Sequence, residues 1–169
     1  MPTPDIPLRW EPLSPADAAA VRALADTAHP GLPERTEVFA ERIALFPEGC
    51  RQLVHAGALA AYGIAHPWRL DSPPPLDTLF GALPREADCL HLHDVVVAPA
   101  LRGRGASGAY FAAMETVARE HHLGWLTMVS VYGTHQLWRR FGFSERTPPA
   151  LAAKLTAYGP TARYLVRQL

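Results

Sequence analysis

The sequence lacks a net charge, a long apolar run and more than two cysteines. Its 169 residues include 16 basic and 16 acidic side chains, so the formal net charge is zero. A protein that binds nucleic acid through phosphate attraction is normally basic, so this class is disfavoured. No apolar run approaches 18 residues, and the amino terminus lacks the basic and apolar regions of a signal peptide. We therefore expect a cytoplasmic protein with neither a nucleic-acid nor a membrane partner.

The cysteines and the apolar content indicate an ordinary intracellular domain. Cys50 and Cys89 lie far apart in apolar surroundings, which favours free thiols in a reducing compartment, although a disulfide stays open. Apolar residues make up 49% of the chain. At this length they can form a substantial core, so we predict one domain over residues 1–169.

Apolar periodicity and turn residues predict strands and helices in alternation. The predicted strands lie at 6–10, 50–55, 58–65, 90–97, 125–131 and 162–166. The predicted helices lie at 14–28, 33–46, 105–122, 134–141 and 151–158. The proline-rich segment 67–84 has no sustained periodicity and predicts a long surface loop that borders a site, with a floppy insertion as the alternative. The strands at 90–97 and 125–131 flank a helix and should therefore be parallel.

The most informative segment is the turn between the strand at 90–97 and the helix that begins at Gly105. Arginines alternate with glycines here, which places backbone N–H groups and guanidinium groups in one concavity suited to a phosphate. Gly103 to Gly108 also matches the dinucleotide pattern G-x-G-x-x-G. That reading is disfavoured, because five residues separate Val97 from Gly103 and the next strand lacks an acid for a ribose. No Gly-Lys-Ser/Thr follows, so it is not a Walker loop either.

Two motifs resemble the GNAT family of N-acetyltransferases. Val97-Ala98-Pro99 followed by Arg-Gly-Arg-Gly-Ala-Ser at 102–107 is similar to the family's acyl-CoA signature, R-x-x-G-x-G/A after Val-x-Pro, with Ser107 at a position that usually holds Gly or Ala. The segment 138–143 resembles the family's Tyr-x-x-x-Gly-Phe, with Trp138 in place of the tyrosine. The resemblance covers about 90–143, and the rest agrees only in the order of its elements.

The resemblance implies an α/β fold with a mixed, mostly antiparallel sheet of six or seven strands flanked by helices. It also implies transfer of an acetyl group from acetyl-CoA to a primary amine, by direct attack in a ternary complex. Amides at the helix amino terminus and the arginines would hold the pyrophosphate. The candidate coenzyme A contacts are Val95, Val96, Val97, Arg102, Gly103, Arg104, Gly105, Ala106, Ser107, Gly108 and Trp138.

The family's polyamine acetyltransferases carry a Glu-Asp pair on the strand before the signature, and the register places His93 and Asp94 at those positions. We expect His93 to act as the general base, because a histidine titrates near neutral pH. A histidine that is merely hydrogen-bonded on a half-buried strand is the open alternative. Because the indole of Trp138 cannot act as an acid, Tyr132 is the candidate proton donor to the thiolate. Water as the donor and a thiolate that leaves unprotonated are the open alternatives.

The acceptor is not specified by any motif. His66, Trp68 and Asp94 are candidate substrate contacts, although an aromatic cluster packed under a loop equally explains the first two. A small-molecule amine is the first expectation, a protein amino terminus or lysine the second, and an inactive coenzyme A sensor a third. A metal site at His91, His93 and Asp94 is disfavoured, because strand alternation puts Asp94 on the opposite face. The sequence leaves a homodimer open.

Overall fold

A computed structural model describes residues 8–169, and within them seven strands form one sheet in the order β1-β2-β3-β4-β5-β7-β6. The strands are β1 (Glu11–Pro12), β2 (Arg51–His55), β3 (Ala58–Trp68), β4 (Cys89–Val97), β5 (Trp125–Ser130), β6 (Ser144–Glu145) and β7 (Arg163–Gln168). The helices are α1 (Ala18–Ala28), α2 (Thr36–Leu45), α3 (Ala106–Glu120), α4 (His135–Arg139) and α5 (Pro149–Leu155).

The sheet is mixed and mostly antiparallel, as predicted. Strands β4 and β5 pair in parallel, whereas the other neighbours described here pair antiparallel. Helix α3 forms the crossover between the parallel strands and buries Tyr110, Phe111 and Met114 against them. Close packing requires Gly63 on β3, because an added Cβ there would lie 2.3 Å from the Tyr110 ring.

The first and second helices and the first strand depart from the predicted limits. Positions 6 and 7 of the predicted first strand lie outside the described residues, and 8–10 form no strand; β1 instead pairs Glu11–Pro12 with β2. The Ser14–Asp17 capping box starts the first helical segment as predicted. Helix α2 begins at Thr36 rather than near 33, because Arg35 is extended. Glu34 is therefore placed outside the helix.

The proline-rich segment between β3 and β4 is fixed to the domain by specific bonds, which disfavours the floppy insertion. The buried Arg42 donates to the carbonyl oxygen of Thr78, and Glu41 accepts the N–H groups of Phe80 and Gly81 at 2.7 and 2.9 Å. The Tyr158 hydroxyl donates to the Pro74 carbonyl oxygen. These contacts hold the loop over the end of the sheet where β4 and β5 separate.

The separation of β4 and β5 creates a cleft. Their ladder covers only Cys89–Trp125, Leu90–Leu126 and His91–Thr127, although β4 continues to Val97 and β5 to Ser130. Beyond the ladder the main-chain groups on this side of β4 have no strand partner in β5. Within residues 8–169, no helix is long and apolar enough to cross a membrane.

Candidate active site

The cleft between the diverging strands has a volume of about 820 Å³, within the range of a small-molecule site. The second half of β4, the end of β5, the amino terminus of α3 and helix α4 form its walls. A long, flexible ligand can lie along it.

The glycine turn forms one end of the cleft. Gly103 and Gly105 have φ values of 74° and 80°, and a Cβ on either would meet no atom within 4 Å, so both backbones face open space. Gly105 caps the fifteen-residue helix α3, whose first-turn N–H groups have no partner inside the helix. These N–H groups and the helix dipole fit a pyrophosphate. Arg102 is tied to this end by a bond from Nε to the Val97 carbonyl oxygen at 3.2 Å.

Ten of the eleven predicted coenzyme A contacts line the cleft. They are Val95, Val96, Val97, Arg102, Gly103, Gly105, Ala106, Ser107, Gly108 and Trp138. Arg104 lies on the same turn but is not part of the lining. Trp138 packs edge-on against Phe111 with ring centroids 5.7 Å apart, so one side shapes the cleft and the other joins the core.

A β-bulge in β4 changes the predicted alternation of side chains. Ile64 of β3 pairs with Asp94 and Ala65 pairs with Leu92, so His93 has no partner in β3. The expectation that His93 and Asp94 lie on opposite faces is therefore wrong at this point, because a bulge places two residues opposite one. Both side chains line the cleft.

His93 is held by Glu34, a residue that no sequence pattern singled out. The His93 Nε2 and Glu34 Oε1 atoms lie 2.8 Å apart, with the side chains 2% and 6% exposed. Burial raises the pKa of the Glu34 carboxyl, but the charge and hydrogen bond of His93, the Asp77 N–H and Arg42 outweigh it and lower the pKa to about 2. Glu34 is thus ionised at neutral pH and fixes the proton of His93 on Nε2.

Asp94 forms a second carboxylate–histidine pair. Its Oδ1 lies 2.9 Å from His29 Nε2, and its Oδ2 accepts the Tyr62 hydroxyl. Burial lowers the pKa of His29, but the bond and charge of Asp94 and the charge of Glu34 outweigh it and raise the pKa above 6.5. His29 ends helix α1, where the sequence indicated only a break.

Tyr132 lines the cleft and has an unusual backbone conformation. Its φ is 55°, a left-handed value that costs energy for a bulky residue, and Gly133 follows with a φ of 71°. This turn stacks the Tyr132 ring on His29, with centroids 5.8 Å apart and an interplanar angle of 14°. Tyr132 is about half exposed and lines the cleft.

A small cavity of about 50 Å³ adjoins the cleft. His29, His93 and Asp94 line both spaces and so form the junction between them. Beyond the junction, the walls come from the α1–α2 connection, α2, the proline-rich loop, β5 and Tyr158. The two carboxylate–histidine pairs thus lie where a second reactant would meet a ligand in the cleft.

Two predicted substrate contacts lie elsewhere. His66 is fully buried and packs against Trp68, Phe80 and His91, with centroids 5.1 to 5.6 Å apart. Neither His66 nor Trp68 lines the cleft or the small cavity. They form the aromatic cluster under the proline-rich loop that the sequence allowed as the alternative.

His91, His93 and Asp94, the three residues of the disfavoured metal-site hypothesis, each have a separate hydrogen-bond partner. His91 Nδ1 lies 2.9 Å from Thr127 Oγ1, whereas His93 binds Glu34 and Asp94 binds His29. Within the part of the chain that the structure describes, no group of three His, Cys, Asp or Glu residues is arranged to hold a metal ion.

The buried histidines predict a loss of stability in acid. Burial and the neighbouring His93 and Arg42 lower the pKa of His91 to about 3, and burial with the other histidines lowers the pKa of His66 well below 6.5. Below pH 6.5 the unfolded chain binds protons that the folded chain does not, so the free energy of unfolding falls by up to ~1.4 kcal/mol per pH unit for each histidine. The raised pKa of His29 contributes stability that is fully present below pH 6.5 and is lost as the pH rises through the raised value. It therefore adds no pH dependence in acid.

Urea denaturation at pH 6 and pH 5 measures this effect. We expect the free energy of unfolding to fall by roughly 2–3 kcal/mol between the two values in the wild type. His91→Gln should reduce the fall by about half, whereas His55→Gln on the exposed end of β2 should not change it. Equal slopes for wild type and His91→Gln would contradict the prediction.

Comparison with solved structures supports the fold. Ard1 from Thermoplasma volcanium aligns with a TM-score of 0.71 at 13% identity, over 97% of this chain and 99% of that one. N-acetylglutamate synthase from Neisseria gonorrhoeae, in complex with coenzyme A and N-acetyl-glutamate, aligns with a TM-score of 0.69 at 19% identity. This alignment covers 98% of this chain and 36% of that one. The diaminobutyrate acetyltransferase EctA from Paenibacillus lautus, in complex with its substrate and coenzyme A, aligns with a TM-score of 0.67 at 12% identity. This alignment covers 95% of this chain and 93% of that one.

The sequence gives no match among curated proteins. A family model described as "Acetyltransferase (GNAT) family" matches residues 18–143, which is most of the chain. The matched range includes α1, α2, β2 and β3, a region in which the sequence motifs predicted only the order of the helices and strands. Acyl transfer from coenzyme A is the chemistry of that family, so the predictions of an acyltransferase and of its cofactor are confirmed. The chain belongs to the GNAT family of acetyltransferases.

Proposed function

We propose that this protein transfers an acetyl group from acetyl-CoA to a primary amine of a small molecule. The observation that carries the proposal is the continuity of the cleft. It runs from the anion-binding turn at one end to the His93–Glu34 and His29–Asp94 pairs at the other. Such a cleft suits a phosphate-bearing acyl donor at one end and an amine at the other.

The residues at the turn hold the donor. The N–H groups at the start of α3 and Arg102 bind the pyrophosphate, and the glycines allow its close approach. The free main-chain edge of β4 beyond His91 offers N–H groups to the thioester carbonyl, because β5 has already separated. Acetyl-CoA supplies the activated acetyl group.

His93 acts as the general base on the acceptor. Because the ionised Glu34 carboxylate accepts the Nε2 proton, Nδ1 is the nitrogen that can take a proton from the acceptor ammonium, directly or through water. The burial of the pair keeps the carboxylate–imidazole bond free of competing water. The same logic holds the histidine tautomer in hydrolase triads.

Tyr132 returns a proton to the leaving thiolate. Its place in the lining of the cleft, its exposure and its stacking on His29 support this role. Trp138 has no proton to give at neutral pH and serves to shape the cleft.

A pair of matched variants tests the His93–Glu34 pair. Glu34 and Glu41 both accept hydrogen bonds from backbone N–H groups of the proline-rich loop, but only Glu34 also binds His93. We expect Glu34→Gln to lower kcat at least about tenfold and to change the pH profile, because the amide no longer fixes the imidazole tautomer. Glu41→Gln should leave kcat near the wild-type value. Equal losses in both variants would mean that only the position of the loop matters.

Release of coenzyme A over a panel of amines tests the function itself. We expect turnover with small primary amines and none with peptides that carry a free amino terminus or lysine. Acetyl-CoA binding without turnover over the whole panel would instead indicate an inactive sensor.

A further inference from the structure

The small cavity also restricts what the acceptor can be. We infer that the acceptor is a primary amine with an apolar tail of about three to five carbons and without a carboxylate next to the amine. This inference rests on the proposed acetyl transfer and adds the chemical class of the acceptor to that proposal.

The volume of the cavity sets the length of the tail. One water-sized group needs roughly 10–15 Å³ of such space, so about 50 Å³ admits about three to five non-hydrogen atoms. The amine nitrogen would lie at the junction formed by His29, His93 and Asp94, facing the acetyl group in the cleft. The tail then fills the cavity behind it.

The walls of the cavity determine the polarity of the tail. Leu32, Phe39, Leu76 and Val129 line it from four different segments of the chain, and Glu34 and Tyr158 add polar side chains to its walls. Methylene groups gain free energy by leaving water for the apolar walls, whereas a negatively charged tail would meet the Glu34 carboxylate. An alkyl tail is therefore preferred to a negatively charged one.

Three of the side-chain groups around the cavity already have partners, whereas His29 Nδ1 is buried without one. His29 Nε2 and His93 Nε2 face the carboxylates of Asp94 and Glu34, and the Tyr158 hydroxyl donates to a carbonyl oxygen of the loop. None of the described lining residues is lysine or arginine.

Arg42 does not line the cavity. Its guanidinium binds Glu41 at 2.6 Å and the Thr78 carbonyl oxygen and stacks on the Phe80 ring, whereas its Nε has no hydrogen-bond partner. A substrate carboxylate would therefore enter beside the carboxylates of Glu34 and Asp94, which repel it. An amine brings donors to a site that is rich in acceptors.

Matched acceptors test the inference by their rates of coenzyme A release. Leucine, leucinamide and 3-methylbutylamine share one side chain and differ in the group next to the amine. We expect kcat/KM for 3-methylbutylamine to exceed that for leucine at least a hundredfold, with leucinamide between them. Among unbranched amines, kcat/KM should rise about fourfold per methylene from propylamine to about pentylamine and then fall.

Two variants in the same loop test the location of the tail. Leu76→Ala enlarges the cavity and should move the preferred chain length up by one or two carbons. Leu79→Ala, at an exposed position 49% accessible and outside the lining, should not. Equal turnover of leucine and 3-methylbutylamine, or the same chain-length preference in both variants, would overturn the inference and leave acetyl transfer intact. Absence of turnover with every amine would overturn both.

Discussion

Gly105→Asp should weaken coenzyme A binding at least a hundredfold. The side chain would enter the open space in front of the α3 amino terminus, where the pyrophosphate is proposed to bind. Two unit charges about 4 Å apart near a protein surface repel by roughly 4 kcal/mol, and each 1.4 kcal/mol is a factor of ten in affinity. Titration calorimetry with coenzyme A gives the change directly.

Gly105→Asn is the matched control for that variant. The φ of 80° at this position strains any residue with a side chain, but Asn and Asp tolerate it about equally. Thermal melting should therefore be similar for the two variants, while Gly105→Asn should lose less than tenfold in affinity. The difference in coenzyme A affinity between the two variants should become smaller in high salt, because salt screens the repulsion between the Asp carboxylate and the pyrophosphate. Identical affinities for the two would remove the proposed phosphate site.

His93→Gln should reduce kcat by roughly 10²–10⁴-fold, the usual contribution of a general base. Glutamine is preferred to alanine because its amide can still donate to Glu34, which would otherwise be a buried charge without a partner. The loss should appear in kcat with little change in coenzyme A affinity, as steady-state kinetics and calorimetry can separate.

The pH profile distinguishes a base from a structural histidine. The wild-type rate should fall in acid, because a general base must be free to accept a proton, and His93→Gln should lack this limb. Trp138→Phe, also in the cleft, should cost far less, because it removes packing surface and no proton donor. Near-normal turnover with an unchanged pH profile in His93→Gln would assign proton removal to solvent or to another group.

The predicted elements were accurate where local patterns determine the structure. The crossover unit and the glycine turn were predicted because strand, turn and helix signals there lie within a continuous segment. The edge strands β1 and β6 were misplaced or missed. Each has two residues, and its pairing depends on a neighbouring strand rather than on its own pattern.

By itself, the sequence determined the glycine-rich turn before α3, the parallel strand pair and the family. Each of these depends on residues close together in the chain, so their chemistry is readable from spacing alone. Only the tertiary structure decided the arrangement around the acceptor. The Glu34–His93 and His29–Asp94 contacts join residues 59 and 65 positions apart, and the bulge that puts His93 and Asp94 in one cleft has no sequence signal. Such pairs form because burial requires each charge to find a partner, and the fold determines which partner is near.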